Sequence, residues 1–203
     1  MNQRERPDVS RETFERLELY AALLQKWNPS INLVSRASLG DLWSRHILDS
    51  VQIFEMAGHP VGHWVDLGSG GGFPGLVMAI MAKEAGSPTQ VTLVESDTRK
   101  CTFLRTVIRE TGVQAEVIND RIENVAPLAA DVLSARALSD LTTLLAYADR
   151  HLKPDGIAIF PKGETWRKEL EEARAKWCFQ YEFAQSKTET GPVILRISGV
   201  SRV

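Results

Sequence analysis

The run Asp66-Leu67-Gly68-Ser69-Gly70-Gly71-Gly72-Phe73-Pro74-Gly75 carries the strongest structural signal in the chain. Before it stands the short apolar run Trp64-Val65-Asp66-Leu67, and after it the continuous apolar stretch Leu76 to Ala82. A strand that empties into glycines and re-enters a helix is the reading these residues invite. Glycine has no Cβ, so the backbone can turn sharply there and come close to a ligand. Pro74 suits the first turn of the helix that follows.

Downstream, strand and helix patterns alternate. Val91 to Val94 reads as a second strand, and Thr98 to Glu110 as a helix with Cys101, Leu104, Val107 and Ile108 on its apolar side. Gln114 to Ile118, Asp131 to Ala135 and Gly156 to Phe160 read as strands three to five. Asp140 to His151 is a helix, and Lys153-Pro154-Asp155-Gly156 has turn residues. Trp166 to Lys176 is a charged helix, followed by two alternating strands, Phe179 to Phe183 and Val193 to Ile197, joined through Gly191-Pro192. Strands alternating with helices imply a parallel, doubly wound α/β sheet with helices on both faces. The last two strands have no helix between them, so an antiparallel hairpin at one edge is expected.

Upstream, the period is helical. Phe14, Leu17, Ala21, Leu24 and Trp27 recur on one face of a helix that Ser10 or Thr13 would cap and Asn28-Pro29 would stop. A single second helix is expected over Leu39 to Ala57, ended by Gly58. Residues 1–60 therefore read as an N-terminal helical extension and 61–203 as the α/β domain, the two forming one unit.

With 203 residues and 43% hydrophobic content, the chain can bury one sizeable core, which excludes a disordered or disulfide-built protein. No apolar run approaches the about 18 residues of a membrane helix, and Met1 to Arg6 lacks the apolar core of a secretory signal. Cys101 and Cys178 give neither a disulfide framework nor metal-ligand spacing, and a packing role in a reducing cytoplasm is the expectation for both. Basic residues (24) and acidic residues (26) are spread evenly, so a nucleic-acid site would have to be a local patch. Of the five tryptophans, Trp166 is expected to be the exposed one.

In an open parallel sheet, ligands sit beyond the carboxyl ends of the strands. Glu95 follows the second strand directly, where a carboxylate accepts hydrogen bonds from ribose hydroxyls. No Lys-Ser or Lys-Thr follows the glycines, which excludes a phosphate-binding P-loop. Without a ligand the glycines are only a tight turn. With one, a nicotinamide dinucleotide and S-adenosylmethionine both remain open. Asp66, ending the first strand, favours the cationic sulfonium over a pyrophosphate, and a terminal hairpin suits a methyltransferase sheet. A valine at Gly68 is expected to abolish binding by filling the loop.

Further residues make the reading specific. Trp27-Asn28, Asn32-Leu33-Val34-Ser35, Arg45-His46-Ile47-Leu48-Asp49-Ser50, the glycine run, Glu95-Ser96, Lys100, Phe103-Leu104, Arg121-Ile122-Glu123, Ser134-Ala135-Arg136-Ala137 and Lys162-Gly163 occur in that order. In this combination, over about residues 20 to 165, the chain resembles the bacterial 16S rRNA (guanine-N7) methyltransferase G family, also called glucose-inhibited division protein B. The resemblance implies a Rossmann-like S-adenosylmethionine-dependent methyltransferase fold, a mainly parallel seven-stranded sheet with the antiparallel C-terminal hairpin and an N-terminal helical cap. It implies S-adenosylmethionine at Gly68, Phe73, Ile122, Glu123 and Arg136, to which the residue reading adds Gly70 and Glu95.

The implied chemistry is methylation of N7 of one guanine in 16S rRNA. That nitrogen has a lone pair outside the base pair, so alignment matters more than a general base and no catalytic residue is singled out. The absence of a Pro-Cys pair and of an Asp-Pro-Pro-Tyr or Asn-Pro-Pro-Tyr motif agrees with this. Arg121, Arg136 and Lys162 are the candidate RNA contacts, with Arg45, Arg99 and Lys100 behind them, and His46 and Asp49 are read as tying the cap to the core. The expected partner is 16S rRNA or the small ribosomal subunit, met by a cytoplasmic monomer. The competing readings are a small-molecule methyltransferase, a nicotinamide oxidoreductase and a non-catalytic RNA-binding module.

Overall fold

The computed structural model describes residues 7–58, 60–188 and 190–203, so the signal reading of Met1 to Arg6 lies outside the described residues. Seven strands form one sheet: β1 (His63–Leu67), β2 (Gln90–Glu95), β3 (Glu116–Asn119), β4 (Ala130–Ala135), β5 (Leu152–Lys162), β6 (Trp177–Gln185) and β7 (Val193–Arg202), in the order β3-β2-β1-β4-β5-β7-β6. The first five run parallel. β7 inserts antiparallel between β5 and β6, which completes the expected edge hairpin. Lys153 to Gly156 belong to β5 rather than to a turn, and the register with β4 shifts between Ala130 and Val132.

Residue alternation divides the core in two. Trp64, Leu93, Val132 and Ile159 face one layer, against α1 (Arg11–Ile31), α3 (Asp49–Met56), α4 (Gly75–Ala85) and α5 (Thr98–Thr111). Val65, Val94, Leu133 and Phe160 face the other, against α6 (Leu141–His151) and α7 (Trp166–Arg174). Successive strand side chains point to opposite faces, so a sheet covered on both sides needs apolar residues at nearly every central position. Met78, Val77 and Ile80 of α4 are wholly buried, as its unbroken apolar sequence requires.

The N-terminal region departs from expectation at two points. α1 runs through Pro29 to Ile31, and Asn32 closes it in the left-handed conformation with φ 47°. Pro29 lies in the last turn, and buried Asn28 sets the exit of the chain, its side-chain oxygen accepting from the Val34 amide at 2.9 Å. The expected second helix is three pieces: α2 (Arg36–Leu39), a π-helical turn Trp43–Leu48 and α3. A π turn holds an extra residue, so it rotates the following side chains without altering an apolar pattern visibly. Trp166, in the first turn of α7, is buried at 4% exposure, whereas Cys178 is exposed, both contrary to expectation. Among the described residues no helix is long and apolar enough to cross a membrane.

Candidate active site

The glycine loop bridges β1 and α4 at the carboxyl edge of the sheet. Gly68, Gly70 and Gly72 have φ of 64°, 54° and 96°, the left-handed region that side chains other than glycine rarely enter. Their surroundings differ. A Cβ at Gly68 would stand 2.6 Å from Leu138, and one at Gly72 would stand 2.3 Å from Leu76 and 2.9 Å from the Tyr20 hydroxyl. At Gly70 the nearest atom would be the Gly68 carbonyl oxygen at 3.7 Å. Gly70 thus borders open space, while Gly68 and Gly72 permit packing. A valine at Gly68 would collide with Leu138 before it reached any ligand, which corrects the reason given from sequence.

Contacts on several sides hold the loop. The Gly70 amide donates to Glu95 Oε2 at 2.8 Å, and the Tyr20 hydroxyl, wholly buried on α1, donates to the Gly71 carbonyl at 2.6 Å. Asp66 lies beneath. Its Oδ1 accepts from the Ser134 hydroxyl at 2.7 Å and its Oδ2 from the Gly75 amide at 3.3 Å. Complete burial pushes its carboxyl up to about 6, against the pull of those bonds. Asp66 therefore ties β1, β4 and the start of α4 together, and it lies beneath the cleft rather than lining it.

That cleft has a volume of about 430 Å³ and lies between the loop and the cap. Gly68, Gly70, Phe73 and Arg136, all anticipated, line it, together with Val34, His46 and Lys100. The Phe73 ring sits between Tyr20 (5.1 Å) and His46 (4.9 Å). Burial, and then the charges of Arg136 and Arg45, push His46 down to about 3, so its imidazole is neutral. Arg136 donates to the Arg45 carbonyl at 2.7 Å and stands 3.9 Å from Asp49. This joins the π turn to the end of β4, in line with the cap-to-core role read for Asp49. Ala137 next to it has φ 50°, a strained value for alanine of the kind that gathers at functional sites.

The other anticipated residues extend along the same sheet edge. Glu95 is 8% exposed, its second oxygen accepting from the Asp97 amide at 2.8 Å, and Asn119 of the neighbouring strand end donates to the Glu95 carbonyl. Ile122 is buried in a short 3-10 turn (Ile122–Asn124), and exposed Glu123 accepts from the Tyr147 hydroxyl at 2.5 Å. Neither lines the cleft beside Phe73; the turn that carries them packs against α6, which contributes Tyr147. Arg121 is exposed beside them. Lys162 is a correction. Its side chain is 8% exposed, and its ammonium pairs with Glu169 at 2.5 Å and donates to the Ser139 carbonyl, so it is spent inside the protein. Tyr20 was missed, although it shares a face with Leu17 and Leu24; its spacing marks it as core and only the tertiary contact reveals its grip on the loop.

An elongated nucleoside ligand with a zwitterionic amino-acid end fits these groups. Fixed backbone and open space lie at Gly70, a carboxylate held by two amides at Glu95, and an apolar residue with an acid beyond, at Ile122 and Glu123.

The model of the family rRNA small subunit methyltransferase G matches residues 13–193. Ribosomal RNA small subunit methyltransferase G of Ruegeria pomeroyi is 58% identical over 97% of this chain and 96% of its own length. The protein of that name from Jannaschia sp. is 47% identical over 94% and 90%. Among solved structures, a mutant of MtNAS in complex with S-adenosylmethionine superposes with TM-score 0.61 at 17% identity, over 91% of this chain and 74% of that one. A methyltransferase from Pyrococcus furiosus gives TM-score 0.57 at 19% identity, over 74% and 81%. At such identities the structural likeness speaks for the fold alone.

Proposed function

The chain belongs to the rRNA small subunit methyltransferase G family, and from that premise we propose that it methylates N7 of a specific guanine in 16S rRNA with S-adenosylmethionine. The observation that carries the reading is the open, backbone-lined cleft at Gly70, braced by Glu95 and closed over by the cap. S-adenosylmethionine supplies an electrophilic methyl group on a sulfonium.

Gly68, Gly70 and Phe73 are assigned to its amino-acid end, Glu95 to the ribose, and Ile122 and Glu123 to the adenine. In Glu95 each oxygen already accepts one amide and retains a lone pair for a hydroxyl. Phe73, clamped between two rings, excludes water from the loop. Arg136 stands where the cleft opens toward substrate, positioned by the Arg45 carbonyl. Arg121, exposed at the same edge, is assigned to RNA phosphate; Lys162 is not. Guanine N7 attacks through a lone pair that carries no proton, so no side chain has to act as base. The protein's work is alignment, for which about 7–11 kcal/mol of a barrier is available in well-oriented reactions. Neutral His46 agrees with this division of labour, since it packs rather than titrates. The protein works on this reading as a monomer in the cytoplasm.

The test is transfer of label from radioactive S-adenosylmethionine to small ribosomal subunits that lack their native N7 methylation, mapped by cleavage at N7-methylguanine. Label at one guanine is expected. Cofactor binding without label on subunits or rRNA would move the reading to a small-molecule methyltransferase, and RNA binding indifferent to the cofactor would move it to a binding module.

A further inference from the structure

Arg45, Arg136 and Ala137 line two adjoining cavities. One is the glycine-loop cleft, and the other has a volume of about 240 Å³. Segments far apart in the chain build this second cavity: Asp49 from the cap, Lys162 from the end of β5, Glu169 from α7, and Ser186 and Thr188 from the loop between β6 and β7. Two carboxylates reach it, in different situations. Glu169 Oε2 holds Lys162 at 2.5 Å and the Leu141 amide at 2.9 Å, an arrangement that binds α6 and α7 to β5. Asp49 stands beside the residues shared by the two cavities and lines the second cavity alone. Ser186 donates to its Oδ1 at 3.1 Å, its Oδ2 lies 3.9 Å from Arg136, and its side chain is 11% exposed. Its position is set from two sides, by the hairpin loop and by the residue that also walls the glycine-loop cleft.

We propose that this second cavity receives the target base and that Asp49 reads it as guanine. The inference rests on the reading of the neighbouring cleft as the methyl-donor site. A base must leave its stack to enter such a pocket, and its pairing edge is then available to side chains. Guanine presents two adjacent donors there, N1–H and the 2-amino group, and a carboxylate accepts from both at once. Adenine and cytosine turn a ring lone pair to the same place, and uracil flanks its one N–H with two carbonyl oxygens, so a carboxylate repels all three. N7 lies on the other ring and stays unengaged by this contact. Asp49 is thus a specificity residue reached through the fold, contributed by a segment that the sheet does not contain.

The experiment uses small subunits reconstituted with 16S RNA that carries either guanine or inosine at the methylated position. Inosine keeps N7 and N1–H and lacks only the 2-amino group. Wild-type protein is expected to favour guanine by about tenfold or more in kcat/KM, as loss of one hydrogen bond to a charged group predicts. In Asp49→Asn the cofactor dissociation constant should stay within about twofold, activity on guanine subunits should fall about tenfold, and the guanine-to-inosine ratio should collapse to within about threefold of unity. A purely structural Asp49 would lower both rates and leave the ratio alone, and that result overturns the inference, as does a wild-type enzyme indifferent to inosine. Should Asp49→Asn fail to bind cofactor, Ser186→Ala carries the test, since it loosens the same carboxylate; its ratio must drop several-fold, and an unchanged ratio overturns the proposal. A wild-type enzyme that labels no guanine subunit removes the methyltransferase reading instead, so the two failures are distinguishable.

Discussion

At the scale of single residues, the loop glycines differ in what a side chain would meet, and Gly70 is the one with room for a Cβ. Gly70→Ala places a methyl group in open space at φ 54°. The backbone penalty is about 1–2 kcal/mol. A drop of a few degrees in melting temperature and a tenfold or greater loss of S-adenosylmethionine affinity by calorimetry are expected; unchanged affinity in the folded variant would remove Gly70 from the site. Tyr20→Phe keeps the ring against Phe73 and leaves the buried Gly71 carbonyl without its donor, at a cost of about 1–3 kcal/mol. Cofactor affinity should weaken together with stability, because the same bond shapes the loop.

Asp66 makes a pH-dependent prediction at the same scale. Its folded carboxyl is raised to about 6 from 3.8, so the fold favours the protonated form. The stabilisation is complete below pH 4 and is lost as pH rises through 6, on the order of 2–3 kcal/mol for such a shift. Asp66→Asn cannot ionise, so wild-type stability measured relative to the variant should fall between pH 4 and 6 and then level off. Parallel curves would contradict the assignment. Asp97, Asp131 and Asp140, whose hydrogen bonds hold them below their usual range, act in the opposite sense and below this window.

At the scale of elements, α1 shows how a helix outside the sheet serves the site. Ser10 caps it, accepting from the Thr13 amide, and Ser10 also donates through its hydroxyl to Glu84 of α4 at 2.8 Å. Ser10→Ala should cost about 1 kcal/mol, read as a shift in denaturant midpoint with unchanged slope. The apolar spacing of Leu17, Ala21 and Leu24 was legible because a helix repeats every 3.6 residues. The π turn at Trp43–Leu48 was not, because one extra residue leaves no mark on such a pattern, yet that turn brings Arg45, His46 and Asp49 to the loop after β4. Pro29 was misjudged for a related reason. A proline this near a helix end removes one amide, and the Asn32 amide still closes the helix on the Asn28 carbonyl.

At the scale of the molecule, the cap and the sheet share one hydrophobic cluster, in which Leu17, Tyr20 and Leu24 meet Leu76, Ile80 and Phe103. We expect residues 61–203 alone to expose that surface, bind hydrophobic dye and lack a cooperative melt, whereas the whole chain unfolds in a single transition that S-adenosylmethionine raises. Net charge of −2 leaves RNA binding to a few local contacts. The affinity for small subunits should therefore fall with salt at a modest slope, and Arg121→Ala should reduce that slope by about one. An unchanged slope would place the phosphate contacts elsewhere.

The sequence by itself determined the strand-helix alternation, the hairpin at the end and the glycine loop at the sheet's carboxyl edge, because these follow from periodicity, from glycine's missing Cβ and from chain connectivity. It also marked Gly70 and Glu95 by residue type and position after strands, and Phe73 and Arg136 through the family resemblance. Tertiary structure alone decided that Asp66 is a buried brace, that Lys162 turns inward to Glu169, that Tyr20 grips the loop and that Asp49 walls a second cavity. Each of these is a contact between segments at least seven residues apart and mostly far more, and no local pattern encodes which way a side chain turns when two such segments meet.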